Sequence, residues 1–151
     1  MSFLIGKKVL VGISGGIAAY KSPEIVRQLI KNGSEVKVIM TPAAKDFVTP
    51  LSLSTVSNNP VLSSFISEDS DNPLWNNHVD LANWADLFLI APATSNTISS
   101  IANGKCNNLL LATYFSSKSP VMIAPAMDLD MYKKPTNKKN IKKIKSFDNI
   151  I

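Results

Sequence analysis

Four short runs, "KKVLVGI" (7–13), "EVKVIM" (35–40), "DLFLIAPA" (86–93) and "PVMIAPAM" (120–127), are almost continuously apolar. A strand with one wet face alternates apolar and polar residues, whereas a strand covered on both faces does not. Runs of this kind therefore predict a parallel sheet packed between helices. Helical patterns fill the intervals. Ile25, Val26, Leu29 and Ile30 form an i, i+1, i+4, i+5 stripe that Gly33 closes as a C′ glycine, with Pro23 early in the helix and able to kink it. Helices are expected over 43–48, 51–57, 94–103 and 107–115, a short edge strand near 60–65, and a polar surface loop over 67–77. This alternation specifies a doubly wound α/β fold, Rossmann-like or flavodoxin-like, with helices on both faces. Such sheets bind ligands beyond the C-terminal ends of their strands, where the strand order reverses. The loops expected there are 14–17, 41–42, 92–97 and 125–131.

Composition removes several classes. At 151 residues and 45 % apolar, the chain suits one domain with a proper core. No apolar run approaches the roughly 20 residues that cross a bilayer. Lys7 and Lys8 follow the first apolar cluster, the reverse of a signal peptide, which places the chain in the cytoplasm. One cysteine, Cys106, allows no internal disulfide. The net charge of +5 comes from a late lysine cluster, Lys133 to Lys145, while residues 1–132 carry nine basic and ten acidic groups. A solvated helix face accounts for that cluster, and no nucleic-acid motif accompanies it.

The turn after the first run, "GISGGIAAYKS", is the least ordinary stretch. Its glycines do not form G-x-G-x-x-G, and Tyr20 stands where a Walker A loop needs a glycine. A Ser-Gly-Gly turn at a helix mouth remains, whose N–H groups and Ser14 hydroxyl suit one terminal phosphate. A tight turn that binds nothing fits equally well. In "APATSNT", capping by Thr94 or Ser95 explains one hydroxyl. It does not explain the paired prolines of "APAT" and "APAM", which would end two ladders and turn backbone groups toward a flat ligand. Thr41 holds the corresponding place after the second strand. His78 is the only histidine, and with Cys106 lacking a sulfur partner no metal site is expected. A Ser-His-Asp triad has no nucleophile elbow to rest on. Asp80 reads as a helix-start acid, Asp86 as a strand-start surface residue, and Trp75 and Trp84 as packing residues.

Taken together and in order, "GISGGIAAYKS", "VMTPAA", "HVDLANWADLFLIAPATSNT", "ANGKCNNLL" and "APAMDLDMY" resemble the phosphopantothenoylcysteine decarboxylases of coenzyme A biosynthesis, from about Lys7 to the chain end. Lantibiotic cysteine decarboxylases and flavin prenyltransferases are similar in fold. The "AAYK" helix start, the histidine before the third strand and the Met-x-x-x-Met-Tyr segment favour the coenzyme A branch. The resemblance implies flavin mononucleotide as cofactor. Ser14, Gly15, Gly16, Ile17 and Ala18 match the family's phosphate turn. Thr41 and Phe47 match positions beside the flavin, as do Ala93, Thr94 and Ser95. Ala126 and Met127 match the segment against the ring. His78 matches the catalytic histidine, while Asn96, Asp128 and Met131 match positions that meet substrate. The implied substrate is 4′-phosphopantothenoylcysteine and the implied assembly a trimer or multiple of trimers, with neither nucleic acid nor membrane as partner. The implied chemistry oxidises the substrate thiol to a thioaldehyde, so that carbon dioxide can leave as an enethiolate forms. The cofactor carries the redox step and the protein supplies orientation and proton transfer, for which an imidazole is suited.

Two departures from the family pattern stand out. The family places asparagine, not Asp128, where the substrate carboxylate is bound, and tryptophan where Tyr132 stands. Its substrate-covering flap, with a proton-donating cysteine, is expected beyond residue 151. The expectation is thus one flavin-binding domain over 1–151 without flap or synthetase domain, whose turnover stalls between half-reactions. Cys106 is expected as a packed free thiol rather than that donor. The rival readings are a flavin-binding regulatory or inactive subunit and, more weakly, a flavin prenyltransferase or peptidyl-cysteine decarboxylase.

Overall fold

Lys8–Ile13 (β1), Glu35–Met40 (β2), Val61–Leu62 (β3), Leu87–Ala93 (β4) and Val121–Pro125 (β5) form one parallel sheet in the order β3–β2–β1–β4–β5. These positions come from a computed structural model, which describes residues 3–67, 71 and 74–151. The centre of the polar loop expected over 67–77 lies outside the described residues. Its ends pair antiparallel through Ile66 and Trp75. β1 pairs with both β2 and β4, so the strand order reverses between β1 and β4. Beyond β5, Ile150 adds a further parallel bridge to Met122.

Buried residues explain the unbroken apolar runs. One face packs Leu10, Phe88, Ile90, Val121 and Ile123 beneath helices Ser95–Ala102 (α4) and Leu109–Ser116 (α5) and Ile144 of Pro135–Lys145 (α7), with His78–Trp84 (α3) alongside. The other packs Val9, Val11, Ile13, Val36, Val38 and Met40 beneath Ser22–Lys31 (α1) and Pro50–Ser57 (α2). The second layer stops short of β5. Leu87 and Leu89 are half-buried there, and Met122 and Ala124 are exposed. The lysines of α7 are all exposed, as a solvated helix face requires.

The sequence also set several helix ends. α1 closes as a Schellman motif: Gly33 N–H bonds Ile30 C=O, Ser34 N–H bonds Leu29 C=O, and Gly33 takes φ +97°. Side chains of Thr49, Asn77, Thr94 and Asn108 cap α2 to α5. Leu129–Lys133 (α6) is capped by Asp128.

Four local expectations are corrected. Pro23 does not kink a helix, because it stands in the first turn of α1, where a missing N–H costs nothing. Ile17–Lys21 and Pro42–Asp46 are 3₁₀ turns rather than α-helix. Pro92 does not end its ladder: it lies inside β4, after a cis Ala91–Pro92 bond, and pairing resumes after a register shift at Ala93–Pro125, where β5 does end at its proline. Cys106 is exposed rather than packed.

Candidate functional site

Ser14 ties the first loop to the third. It is 1 % exposed, and its Oγ donates to Pro92 C=O at 2.6 Å and accepts from Thr94 N–H at 2.9 Å. The two turns on either side of the strand-order reversal are thereby held together. A Cβ on Gly15 would stand 2.7 Å from Ala43 Cβ, so the first loop rests directly on the second. Ala126 N–H bonds Ala93 C=O, fixing the loop after β5 to the end of β4. Ser95 Oγ donates to Asn137 Oδ1 at 2.5 Å and Asn137 Nδ2 donates to Met131 C=O at 2.7 Å, which lashes α6 and α7 to the start of α4. Four loops from distant parts of the chain thus form one rim.

Within this rim lie two adjoining cavities of about 720 and 360 Å³ that share Gly15, Thr94 and Asn96. The larger is mostly apolar, with Ile17, Ala18, Phe47, Pro92, Ala126, Met127 and Met131 around it. Gly16, Ser95 and Asp128 also line it. The smaller is polar, lined by Thr41, Thr97, Ser100, Lys105, Asn107 and Asn108. In the first turn, the first backbone bond runs from Ala19 N–H to Gly16 C=O, so the N–H groups of Gly15 to Ala18 precede any turn partner. Thr41 Oγ1 is buried without a hydrogen-bond partner. A glycine cradle and an orphaned hydroxyl beside an apolar slot are what a flat ring carrying a phosphate tail needs, and a flavin mononucleotide fits this donor set.

The structure therefore brings together Gly15, Gly16, Ile17, Ala18, Phe47, Thr94, Ser95, Asn96, Ala126, Met127, Asp128 and Met131 around one cavity, with Thr41 in its neighbour. Ser14 and Ala93 are buried behind the rim and line neither cavity. The Ser14 hydroxyl is engaged within the protein. His78 also lines neither. It opens α3, its ring edge-on to Phe65 at 6.1 Å and to Trp75 at 6.2 Å, and its Nδ1 is buried without a partner. Trp75 stacks on Phe65, and Trp84 lies beneath Lys37 Nζ at 4.5 Å, so both are packing residues. Asp80 sits in the first turn of α3, and Asp86 Oδ2 accepts the Lys8 N–H before β4. Asp128 is exposed, and its Oδ1 accepts the Met131 N–H. Among the described residues no cluster of three metal-ligating side chains occurs, and no helix is long and apolar enough to cross a membrane.

Lys105, Asn107, Asn108 and Asn137 escaped the sequence reading. The only signal was the Asn108 cap position, because the others reach the rim by tertiary packing.

The model of the family described as Flavoprotein matches residues 4–151. The chain belongs to the Flavoprotein family. Its relatives within that family include the coenzyme A biosynthesis bifunctional protein CoaBC of Vibrio parahaemolyticus, 45 % identical over 93 % of this chain and 35 % of the relative. A probable phosphopantothenoylcysteine decarboxylase of Streptococcus mutans is 44 % identical over 93 % of this chain and 79 % of the relative. The chain thus spans about a third of the bifunctional relatives and most of the single-function one. Among solved structures, the FMN-dependent cysteine decarboxylase SpaF superposes with TM-score 0.88 at 27 % identity, over 98 % of this chain and 84 % of that one. A PPC decarboxylase mutant complexed with pantothenoylaminoethenethiol superposes with TM-score 0.80 at 28 % identity, over 97 % and 81 %. The doubly wound parallel sheet is this flavoprotein fold.

Proposed function

We propose that this chain binds flavin mononucleotide non-covalently and decarboxylates 4′-phosphopantothenoylcysteine to 4′-phosphopantetheine in the cytoplasmic synthesis of coenzyme A. The observation that carries the reading is the paired cavity at the strand-order reversal, apolar on one side and polar on the other. Relatives of matching name support the substrate. When bound, the flavin supplies two-electron chemistry at the substrate thiol. Ile17, Phe47 and Met127 exclude water from the ring, and the free N–H groups of Gly15 to Ala18 bind anionic oxygen. Asn96 lines both cavities, which puts its amide within reach of either flavin or substrate.

Purified protein should be yellow, and heat should release one mononucleotide per chain, identified by its mass. A preparation still colourless after incubation with the mononucleotide would sink the reading. Release of the adenine dinucleotide would show that the small polar cavity had been misjudged. Bleaching by a cysteine-terminated peptide but not by 4′-phosphopantothenoylcysteine would move the chain to the peptidyl branch.

His78 belongs to this reading only if a second copy brings it to the rim. α3 feeds β4 from above, so His78 stands toward the same sheet edge as the cavities, but on a helix packed beside α5 that lines neither of them. A homo-oligomer, a trimer or multiple of trimers, would place it over a neighbour's cavity. The uncovered apolar face of β4 and β5 supports association.

Asp128 keeps its capping role, since aspartate and asparagine cap alike, but its free oxygen can only accept. A substrate carboxylate would be repelled. Asp128→Asn should therefore leave thermal stability unchanged and tighten substrate binding by about tenfold, the effect of gaining one charge-assisted donor. Calorimetric titration of the flavin-loaded protein checks it; weaker binding in the variant would make Asp128 a useful substrate ligand.

A further inference from the structure

We propose that Lys105 supplies the positive charge at the smaller, polar cavity and makes the chain prefer a phosphate monoester to its dephosphorylated form. Three independent features meet there. First, Thr41 lines the cavity, is 6 % exposed, and its Oγ1 has no partner. A buried hydroxyl left unpaired costs free energy unless a ligand completes it. Second, the capping residues of two eight-residue helices, Thr94 of α4 and Asn108 of α5, line the same cavity, so two positive helix ends converge on it. The Asn108 Oδ1 accepts the Leu111 N–H, which leaves its Nδ2 as a donor. Third, Lys105 lines the cavity and its ammonium makes no ion pair with any described residue. Its backbone is fixed, because its N–H bonds Ser100 C=O at 2.9 Å.

No carboxylate lines this cavity; Asp128, the one acid at the rim, borders only the larger one. Donors, helix ends and a cation without a counter-charge define a site for an anion. Its volume of about 360 Å³ suits a compact group better than a ring. Gly15 joins the two cavities, so a ligand with an apolar ring and a phosphate tail can span them, its tail bound by the turn's N–H groups on one side and by Lys105 on the other. The chemistry required is a phosphate monoester. Flavin mononucleotide and 4′-phosphopantothenoylcysteine both carry one. The assignment rests on the flavin reading above for the first of these sources, not for the anion site itself.

Flavin fluorescence titration of wild type, Lys105→Ala and Lys105→Gln tests it, with the mononucleotide and riboflavin as the two probes. Loss of one charge-assisted contact should raise the mononucleotide Kd about tenfold and leave the riboflavin Kd within about twofold. Added salt should weaken mononucleotide binding more in wild type than in either variant. If mononucleotide affinity holds but 4′-phosphopantothenoylcysteine binds more weakly to the variants while its dephosphorylated form does not, the site stands and holds the substrate's phosphate. Equal losses for riboflavin and the mononucleotide would overturn it, because Lys105 would then act only on the fold. So would unchanged binding of both phosphorylated ligands. Should wild type bind no flavin at all, the flavin reading fails and inorganic phosphate decides the site. A rise in Tm with phosphate that Lys105→Ala abolishes would support it, and no rise would overturn it.

Discussion

His78→Asn is expected to keep the flavin, with affinity within about twofold of wild type, while carbon dioxide release falls by about 10²- to 10⁴-fold, the usual worth of a positioned acid–base group. The two halves of that expectation come from different observations. The flavin half is geometric: His78 borders neither cavity, and its ring touches Phe65 and Trp75 instead. Losing those edge contacts should cost about 0.5–1.5 kcal/mol of stability and nothing at the rim. The turnover half rests on the match of "HVDLANW" to the family's catalytic histidine and on the unpartnered Nδ1. A histidine that serves only as packing has no reason to affect chemistry at a cavity it does not line.

The same variant tests where the imidazole comes from. Asn96→Ala should damage the cavity of its own chain and leave His78 intact. Co-expressing His78→Asn and Asn96→Ala chains should then restore a measurable part of the activity, because some interfaces would pair an intact cavity with an intact histidine. Activity no higher than either variant alone would mean that His78 acts within its own chain or not at all. Unchanged turnover in His78→Asn by itself would return the residue to a structural role.

Much of this was legible in the sequence because burial writes itself into composition. The four apolar runs became β1, β2, β4 and β5 within a residue or two at each end. The reason is that helices cover both faces of β1 and β2, and only apolar side chains satisfy that; β4 and β5 are fully covered on one face and carry apolar residues on the other, where they are half-buried or exposed. Gly33 and Thr94 were readable for the same kind of reason, each being a local solution to unpaired helix-end groups. What the sequence hid was whatever depends on distant residues. The Ser14 hydroxyl looked available for a phosphate, but its partners, Pro92 and Thr94, lie 78 and 80 positions away. Lys105 looked like a loop lysine because nothing local puts it on the cavity that Thr41 lines. The 3₁₀ turn at Ile17–Lys21 was read as helix because the two share apolar spacing over so short a stretch. His78 was assigned to the site by likeness, and no periodicity could say that α3 would set it beside Phe65 and Trp75, away from the cavities of its own chain.

The second large effect is expected at Gly15. An added Cβ would meet Ala43 Cβ at 2.7 Å, the Ala43 carbonyl carbon at 2.8 Å and its oxygen at 3.0 Å. Two of these are backbone atoms, so no rotamer change relieves the clash. Ala43 belongs to the 3₁₀ turn Pro42–Asp46, which is pinned by Ala44 N–H to Thr41 C=O and by Phe47 N–H to Ala44 C=O. Pushing Ala43 aside therefore moves Thr41, on the polar cavity, together with Phe47, on the apolar one. Overpacking of this kind costs about 1–3 kcal/mol. Expressed entirely at the binding site, that is about 5- to 150-fold in flavin affinity. Gly15→Ala should therefore purify pale and reach saturation only at high mononucleotide concentration. Three other glycines calibrate the result. Gly16→Ala meets only Thr94 Cγ2, at 3.1 Å, and should lose much less. Gly12→Ala meets Phe88 and Leu110 in the core, and should lower Tm more than affinity. Gly104→Ala meets nothing within 4 Å but must hold φ +72°, so it should lower Tm slightly and spare the flavin. Fluorescence titration beside thermal melts separates the four. If Gly15→Ala and Gly104→Ala bind flavin equally well, the first loop yields freely and the close contact between the loops after β1 and β2 does not shape the site.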